Sequence, residues 1–114
     1  MLEASIKVRK LLSALTPALK ISDHCMLRFN TDNFVLLASG AANVAYCESV
    51  LRPPAFNTYE SSGVKFGIKA EKLKKSLKGV NQDSTLDIAY HEDKRDLHTS
   101  VEGQHFQLSV VQSD

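Results

Sequence analysis

The chain opens with alternating apolar and polar residues and then changes to a helical period. The alternation covers Leu2–Lys7 and predicts a strand. From Val8 to Lys20 the apolar residues recur every three or four positions, which predicts an amphipathic helix. The apolar face of this helix consists of Val8, Leu11, Leu12, Leu15, Ala18 and Leu19.

Alternation returns after the helix and predicts a series of strands. These cover Cys25–Asn30, Phe34–Ser39, Val44–Leu51, Val64–Lys69, Thr85–Tyr90, Arg95–Val101 and Gln104–Val111. Residues Ala55–Ser62 are predicted to form a connector, in which Phe56 and Tyr59 anchor a single helical turn. Glu102 and Gly103 are predicted to form a two-residue hairpin turn.

A second amphipathic helix is predicted over Lys69–Val80, and its sequence repeats the first. Its apolar stripe consists of Ala70, Leu73, Leu77 and Val80. Segment 68–77 matches segment 6–15 in its Ile, Lys, Lys, Leu and Leu positions. The order of one strand, one helix and three strands therefore occurs twice, over about 1–52 and 63–111. This predicts one α+β domain over residues 1–114, with two βαβββ repeats and two helices packed side by side on antiparallel sheet.

Positive charge is concentrated around the two predicted helices. Segments 7–20 and 69–78 hold nine of the 14 Lys and Arg residues but only one of the 13 Asp and Glu residues, although the net charge is only +1. Such a surface attracts a polyanion, and lysines without interleaved aromatic or amide side chains suit phosphate contact that does not read sequence. The residues expected to contact phosphate are Arg9, Lys10, Lys20, Lys72, Lys75 and Lys78.

The sequence carries no recognisable catalytic set. It has no glycine-rich phosphate loop and no nucleophile beside a base, so we expect no enzymatic activity and no cofactor. His98 and His105 lie on neighbouring predicted strands, but no cluster of Cys or carboxylate residues completes a metal-ligand pattern, so no metal is predicted. Cys25 and Cys47 have apolar neighbours, which indicates buried thiols in a reducing compartment, although the pattern also permits a disulfide.

Four segments resemble the sliding DNA clamps of archaea and eukaryotes, the proliferating cell nuclear antigen family. They are Met1–Ala4, Phe56–Tyr59, Gly67–Lys78 and Asp96–Gly103. The resemblance extends over all 114 residues and corresponds to the N-terminal half of such a clamp. It implies the DNA-clamp (processivity) fold, with helices lining a ring of six such domains and sheets outside. Lys20, Lys75 and Lys78 match lysines of the family's inner surface.

The resemblance also implies a function. We expect a subunit of a non-catalytic processivity factor that encircles duplex DNA and tethers polymerase in replication and repair. The alternative is a clamp-like regulatory protein that joins or caps clamp subunits without encircling DNA itself. The expected location is intracellular: the cytoplasm or nucleoid of an archaeon, or the nucleus of a eukaryote. No signal-peptide pattern and no apolar run of membrane-spanning length appears in the sequence.

Two further sets of residues follow from the resemblance. Polymerase and other clamp-binding proteins are expected to dock a peptide at Ser39, Gly40, Asn43 and Val44, where Gly40 replaces the usual aspartate. Segment 105–111 has no proline, no glycine and no formal charge when His105 is neutral, so as an edge strand it is a template for association. We expect a homo-oligomeric ring, most simply of six copies. Its expected interface residues are Val64, Phe66, Ile68, Phe106, Leu108 and Val110.

Overall fold

The computed structural model describes residues 1–22, 24–39, 46–90 and 96–110. The described residues form two α-helices, α1 (Val8–Leu19) and α2 (Ala70–Ser76), and a 3-10 turn at Pro53–Ala55. They also form nine strands: β1 (Leu2–Lys7), β2 (His24–Phe29), β3 (Phe34–Ser39), β4 (Tyr46–Leu51), β5 (Thr58–Ser61), β6 (Val64–Lys69), β7 (Thr85–Tyr90), β8 (Asp96–Val101) and β9 (Gln104–Ser109).

The strands form two sheets in which every described pairing is antiparallel. Sheet A has the order β5-β1-β7-β8-β9, and sheet B has the order β4-β3-β2-β6. The sequence predicted antiparallel strands on helices but did not predict their division into two sheets. Strand β1 pairs with β7 from the later part of the chain, and β6 pairs with β2 from the earlier part. Each sheet therefore combines strands that are distant in sequence.

The inner faces of both sheets meet in one hydrophobic core, at whose centre aromatic rings pack together. The ring of Phe29 lies 4.6 Å from Phe34, 5.9 Å from Phe66 and 6.4 Å from Tyr59, measured between centroids. Phe66 of sheet B also stacks on Tyr90 of sheet A, at 4.7 Å. Such pairs stabilise a core beyond the area that they bury.

Both helices begin directly after a strand, without a side-chain cap. The first free N–H groups of α1, those of Val8 and Arg9, donate instead to the carbonyls of Ser84 and Gln82 at 3.0 and 2.9 Å. The turn that precedes β7 therefore takes the place of a capping side chain at the start of α1.

Helix α2 is shorter than the sequence predicted, because regular helix ends at Ser76. The N–H groups of Lys78 and Val80 bond to carbonyls three residues back, and Gly79 adopts a φ of 81°. This tight ending keeps Leu77 on the apolar face, where it is 3% exposed, while Val80 is half-buried.

The predicted helical turn around Phe56 and Tyr59 is wrong. The 3-10 turn lies earlier, and Thr58–Ser61 adds strand β5 to the edge of sheet A beside β1. The Tyr59 hydroxyl reaches across to sheet B and donates to the carbonyls of Asn30 and Asn33, the latter at 2.8 Å. Tyr59 is thus an anchor, but one that joins the sheets from a strand.

Most other predicted boundaries agree with the structure. Strands β1, β3, β6 and β7 have the predicted bounds, whereas β2 begins and ends one residue earlier and β9 ends at Ser109. The predicted starts at Val44 and Arg95 lie outside the described residues. Glu102 and Gly103 form the predicted hairpin turn with φ values of 51° and 78°, as a type I′ turn requires.

Leu77 and Lys75 provide a direct test of the orientation of α2. Leu77→Ala should lower the free energy of unfolding by on the order of 2–5 kcal/mol, because it leaves a cavity in the core. Lys75→Ala should change it by less than about 0.5 kcal/mol, since the side chain is exposed. Denaturant unfolding measures both values, and equal losses would show that the helix faces are assigned wrongly.

Candidate nucleic-acid interface

Helices α1 and α2 contact each other and cover the same side of the core. Helix α1 packs on β1, β3 and β4, whereas α2 packs on β2, β6 and β9, so the pair extends over both sheets. The outward faces of the sheets lie on the opposite side. All the predicted phosphate contacts are exposed on the helix side: Arg9, Lys10, Lys20, Lys72, Lys75 and Lys78.

The structure adds Lys74 to this basic surface. Lys74 lines a cleft with Lys20 at the end of α1 and a second cleft with Lys75 and Lys78, so it connects the two helices. The sequence indicated its charge but did not predict it as a phosphate contact. Lys74 lies between the helices only because α1 and α2 pack side by side. The periodicity of one helix cannot predict this position.

Two of the basic residues have carboxylate partners. The Arg9 guanidinium lies 3.2 Å from Asp83, and Lys75 Nζ lies 3.9 Å from Glu71 one helical turn away. All these side chains are well exposed, so each pair contributes little to stability and competes only weakly with a phosphate. In the described part of the chain no ion pair joins Lys10, Lys20, Lys72 or Lys78 to a carboxylate. These four charges are available to an anionic partner.

The predicted peptide-docking residues are only partly described. Ser39 is exposed at the end of β3, while Gly40, Asn43 and Val44 lie outside the described residues. Ser39 lines a surface cavity of about 450 Å³ together with Met26, Leu37, Tyr46 and Gly67. Its floor is largely apolar, and Met26, Leu37 and Gly67 are ladder partners on the outer face of sheet B.

The predicted interface residues lie on two edge strands. Strand β6 is at an edge of sheet B and β9 at an edge of sheet A. The side chains of Val64, Phe66 and Ile68 are buried in the core, so β6 offers a neighbour its backbone rather than these side chains. Phe106 and Leu108 of β9 are half-buried against the core, as is Val110, which follows the strand.

A second edge of sheet B was not selected from the sequence. Strand β4 carries Tyr46 and Val50, which are 62% and 47% exposed and are the large apolar residues most open to solvent in the described chain. The sequence predicted this strand from its alternating pattern. That pattern did not indicate that the side carrying Tyr46 and Val50 is open to solvent. An exposed apolar edge of this kind is a natural place for association.

A reactive thiol, a metal centre and a membrane-spanning helix each make requirements with which the described residues can be compared. Both cysteines are free, and burial raises the pKa of the Cys25 thiol to about 12, which keeps it neutral and unreactive. No three His, Cys, Asp or Glu side chains of the described residues converge as a metal-binding group. Over the same ranges, neither helix has the length and apolar character needed to cross a bilayer.

Comparison with curated proteins finds similarity to DNA polymerase sliding clamps. No protein-family model matches the chain. The DNA polymerase sliding clamp of Natronomonas pharaonis is 25% identical over 114 residues, which is 100% of this chain and 46% of that protein. That of Haloarcula marismortui is 24% identical over the same shares of both chains. The chain thus spans about half the length of the curated relatives that it matches.

Solved structures give the same result for the fold. The A. fulgidus PCNA bound to the C-terminal region of FEN-1 matches 97% of this chain and 45% of its own, with a TM-score of 0.89 and 12% identity. Thermococcus kodakaraensis PCNA matches 100% of this chain and 48% of its own, with a TM-score of 0.86 and 18% identity. The fold is that of a clamp domain, and the predicted resemblance to the sliding-clamp family is confirmed.

The burial of Cys25 can be tested by thiol labelling. In a Cys47→Ser variant at pH 8, a disulfide reagent such as Ellman's reagent should leave the folded protein unlabelled, because the Cys25 thiol is buried and protonated. Unfolding in guanidinium should then release one equivalent of thiol. Rapid labelling of the folded variant would contradict the described position of Cys25.

Proposed function

We propose that residues 1–114 form one clamp domain and that this chain is a subunit of a DNA sliding clamp. In this role it surrounds duplex DNA and tethers polymerase during replication and repair, and it catalyses no reaction. One observation carries the proposal: the exposed lysines of α1 and α2 share one side of the core, opposite the outer faces of the sheets. The relatives named DNA polymerase sliding clamp support the same role.

The chemistry of the basic surface suits a partner that must move along DNA. Lysine ammonium groups on flexible stems attract phosphate as point charges and read no base edge. The surface carries no cluster of Asn, Gln and aromatic side chains that would stop the protein at one sequence or stack on single strands. Binding of this kind is driven by counterion release, so it depends strongly on salt.

Partner proteins are proposed to dock on the opposite side of the molecule. The cavity beside Ser39 offers Met26, Leu37 and Tyr46 to the apolar side chains of a short peptide. Gly40, Asn43 and Val44 follow Ser39 in sequence and complete the proposed site. The solved complex of an A. fulgidus PCNA with the C-terminal region of FEN-1 supports peptide docking as a property of that clamp. We propose that polymerase and other clamp-binding proteins use the equivalent surface here.

Encircling DNA requires more than one such domain, so we propose self-association into a ring. Strands β6 and β9 leave one backbone edge of each sheet open, and β4 leaves another. Head-to-tail pairing of identical copies through two different edges closes a ring when the rotation per copy is right. The solved PCNA2–PCNA3 complex from Sulfolobus tokodaii, whose chain has this fold, supports association between such proteins. The proposed location is the intracellular compartment that holds the DNA.

The role of the helix surface can be tested with two double variants. Lys75→Ala with Lys78→Ala should weaken association with duplex DNA equally for any sequence, because both lysines contact phosphate. It should also flatten the dependence of log K on log salt by about 0.9 for each lysine removed. Arg28→Ala with Lys65→Ala removes the same charge from the outer face of sheet B, where the two residues are ladder partners, and should have little effect.

Fluorescence anisotropy of labelled duplexes at several salt concentrations measures these changes. An unchanged slope in the helix variant, with the fold intact, would contradict DNA contact through α2. It would favour the alternative in which the chain joins or caps other clamp subunits without encircling DNA.

The ring can be tested by light scattering at micromolar and higher concentrations. We expect a mass several times that of one chain, and a monomeric mass throughout would contradict self-association. Gln107→Pro on β9 should lower the mass, because we infer that the N–H of residue 107 points to the open edge. Val101 and Gln104 close the two-residue turn and therefore form a hydrogen-bonded pair. Hydrogen-bonded and non-hydrogen-bonded pairs alternate along the ladder, so His98 and Gln107 form a non-hydrogen-bonded pair.

Gln107→Ala is the matched control for this test. It removes the side-chain bond of 2.6 Å to Asp96 that Gln107→Pro also removes, but it keeps the backbone donor. Gln107→Ala should therefore leave the assembly intact, since proline at an edge acts through the missing N–H. Equal effects of both changes would show that the side chain, not the open backbone edge, supports association.

A further inference from the structure

Two histidines face each other across the outer face of sheet A. His98 on β8 and His105 on β9 are diagonal neighbours, since His98 is opposite Gln107 and Ser100 is opposite His105. The Nδ1 atom of His98 lies 3.1 Å from the Nε2 atom of His105, and the ring centroids are 5.2 Å apart. The side chain of His105 is exposed and that of His98 half-buried, so solvent reaches the pair.

The distance between these nitrogens is that of two ligands of one transition-metal ion. Zn–N bonds of about 2.0–2.1 Å place two ligand nitrogens roughly 3.3 Å apart at a tetrahedral angle and about 2.9 Å apart at a right angle. The observed 3.1 Å lies between these values. A metal-free pair instead shares one proton in a hydrogen bond, so ion and proton compete for the same lone pairs.

The neighbouring Ser100 orients the imidazole ring of His105 so that its Nε2 atom can bind a metal ion. Its Oγ lies 3.1 Å from Nδ1 of His105, on the far side of the ring from His98. With the His105 proton on Nδ1 and donated to Ser100, the lone pair on Nε2 is free to bind a metal. Metal-binding histidines commonly have such an outer partner, which fixes both the tautomer and the ring orientation.

The surroundings also favour a cation. The pair borders a surface cavity of about 340 Å³ that is lined by Glu3 and Asp87 as well as Ser100. In the described chain no third metal-ligating side chain converges on the pair, so water molecules would complete the coordination. The carboxylates contribute negative potential rather than bonds to the metal.

We propose that His98 and His105 form a two-histidine site for one divalent transition-metal ion of the imidazole-preferring class, such as Zn²⁺. The ion binds Nδ1 of His98 and Nε2 of His105, and His98 then carries its proton on Nε2. The class follows from the ligands, because imidazole suits Zn²⁺ and its neighbours whereas Mg²⁺ prefers oxygen. The bound ion joins edge strand β9 to β8 on the face away from the helices.

Titration calorimetry of the full chain with ZnCl₂ tests the site. We expect one Zn²⁺ per chain and no uptake of Mg²⁺, with binding at least tenfold weaker in His98→Ala and in His105→Ala. His24→Ala is the matched control, because His24 is exposed on β2 of the other sheet and should leave the affinity unchanged. Equal Zn²⁺ uptake by all four proteins would overturn the proposal.

Nitrogen chemical shifts of the imidazole rings provide a second measurement. Zn²⁺ should shift Nδ1 of His98 and Nε2 of His105 and leave the ring of His24 unchanged. Shifts at other nitrogens only would overturn the assignment even if zinc binds. Ser100→Ala should weaken binding about tenfold, as loss of an outer partner does. Sequence-independent DNA association should be equal in the wild type and the histidine variants, so this test is separate from that of the clamp function.

Discussion

The structure depends on one hydrophobic core that both sheets and both helices share. Phe29 and Phe66 lie where the inner faces of the sheets meet, and Tyr59 and Tyr90 contact them from sheet A. Neither sheet has a core of its own, because the inward residues of each are covered by the other sheet and by α1 and α2. The apolar faces of α1 and α2 belong to this same core, so the core determines which faces of the helices, and which charges, point to solvent.

This packing separates the chemistry of the molecule by side. Because α1 and α2 use their apolar stripes to close the core, their remaining faces are free to carry lysine. The outer faces of the sheets carry different features, namely the apolar cavity beside Ser39 and the histidine pair of β8 and β9. The basic surface and these features therefore occupy separate parts of the molecular surface.

Local pattern predicted most of this fold, and the exceptions have physical reasons. Periodicity located β1 and α1 and the burial of Leu73 and Leu77, because each depends on which side of one element is apolar. It missed β5, whose place is decided by pairing with β1 and by bonds of Tyr59 to a distant turn. Likewise, the pairing of Arg9 with Asp83 joins residues that are far apart in sequence. Alternation placed Val64, Phe66 and Ile68 on one side of β6 but did not show that the core covers these three side chains.

The exchange of strands between the two sheets has a consequence for how the chain folds. Leu2 pairs with Tyr90 in sheet A, and Phe29 pairs with Val64 in sheet B. Each sheet is therefore complete only when a strand from the other part of the chain has joined it. Such distant pairings form slowly, because closing a long loop costs conformational entropy before the contacts that stabilise the pairing are made. The earlier and later parts of the chain are in effect complementary fragments: each supplies the strand that the other's sheet lacks, and neither forms a complete sheet until both have been synthesised.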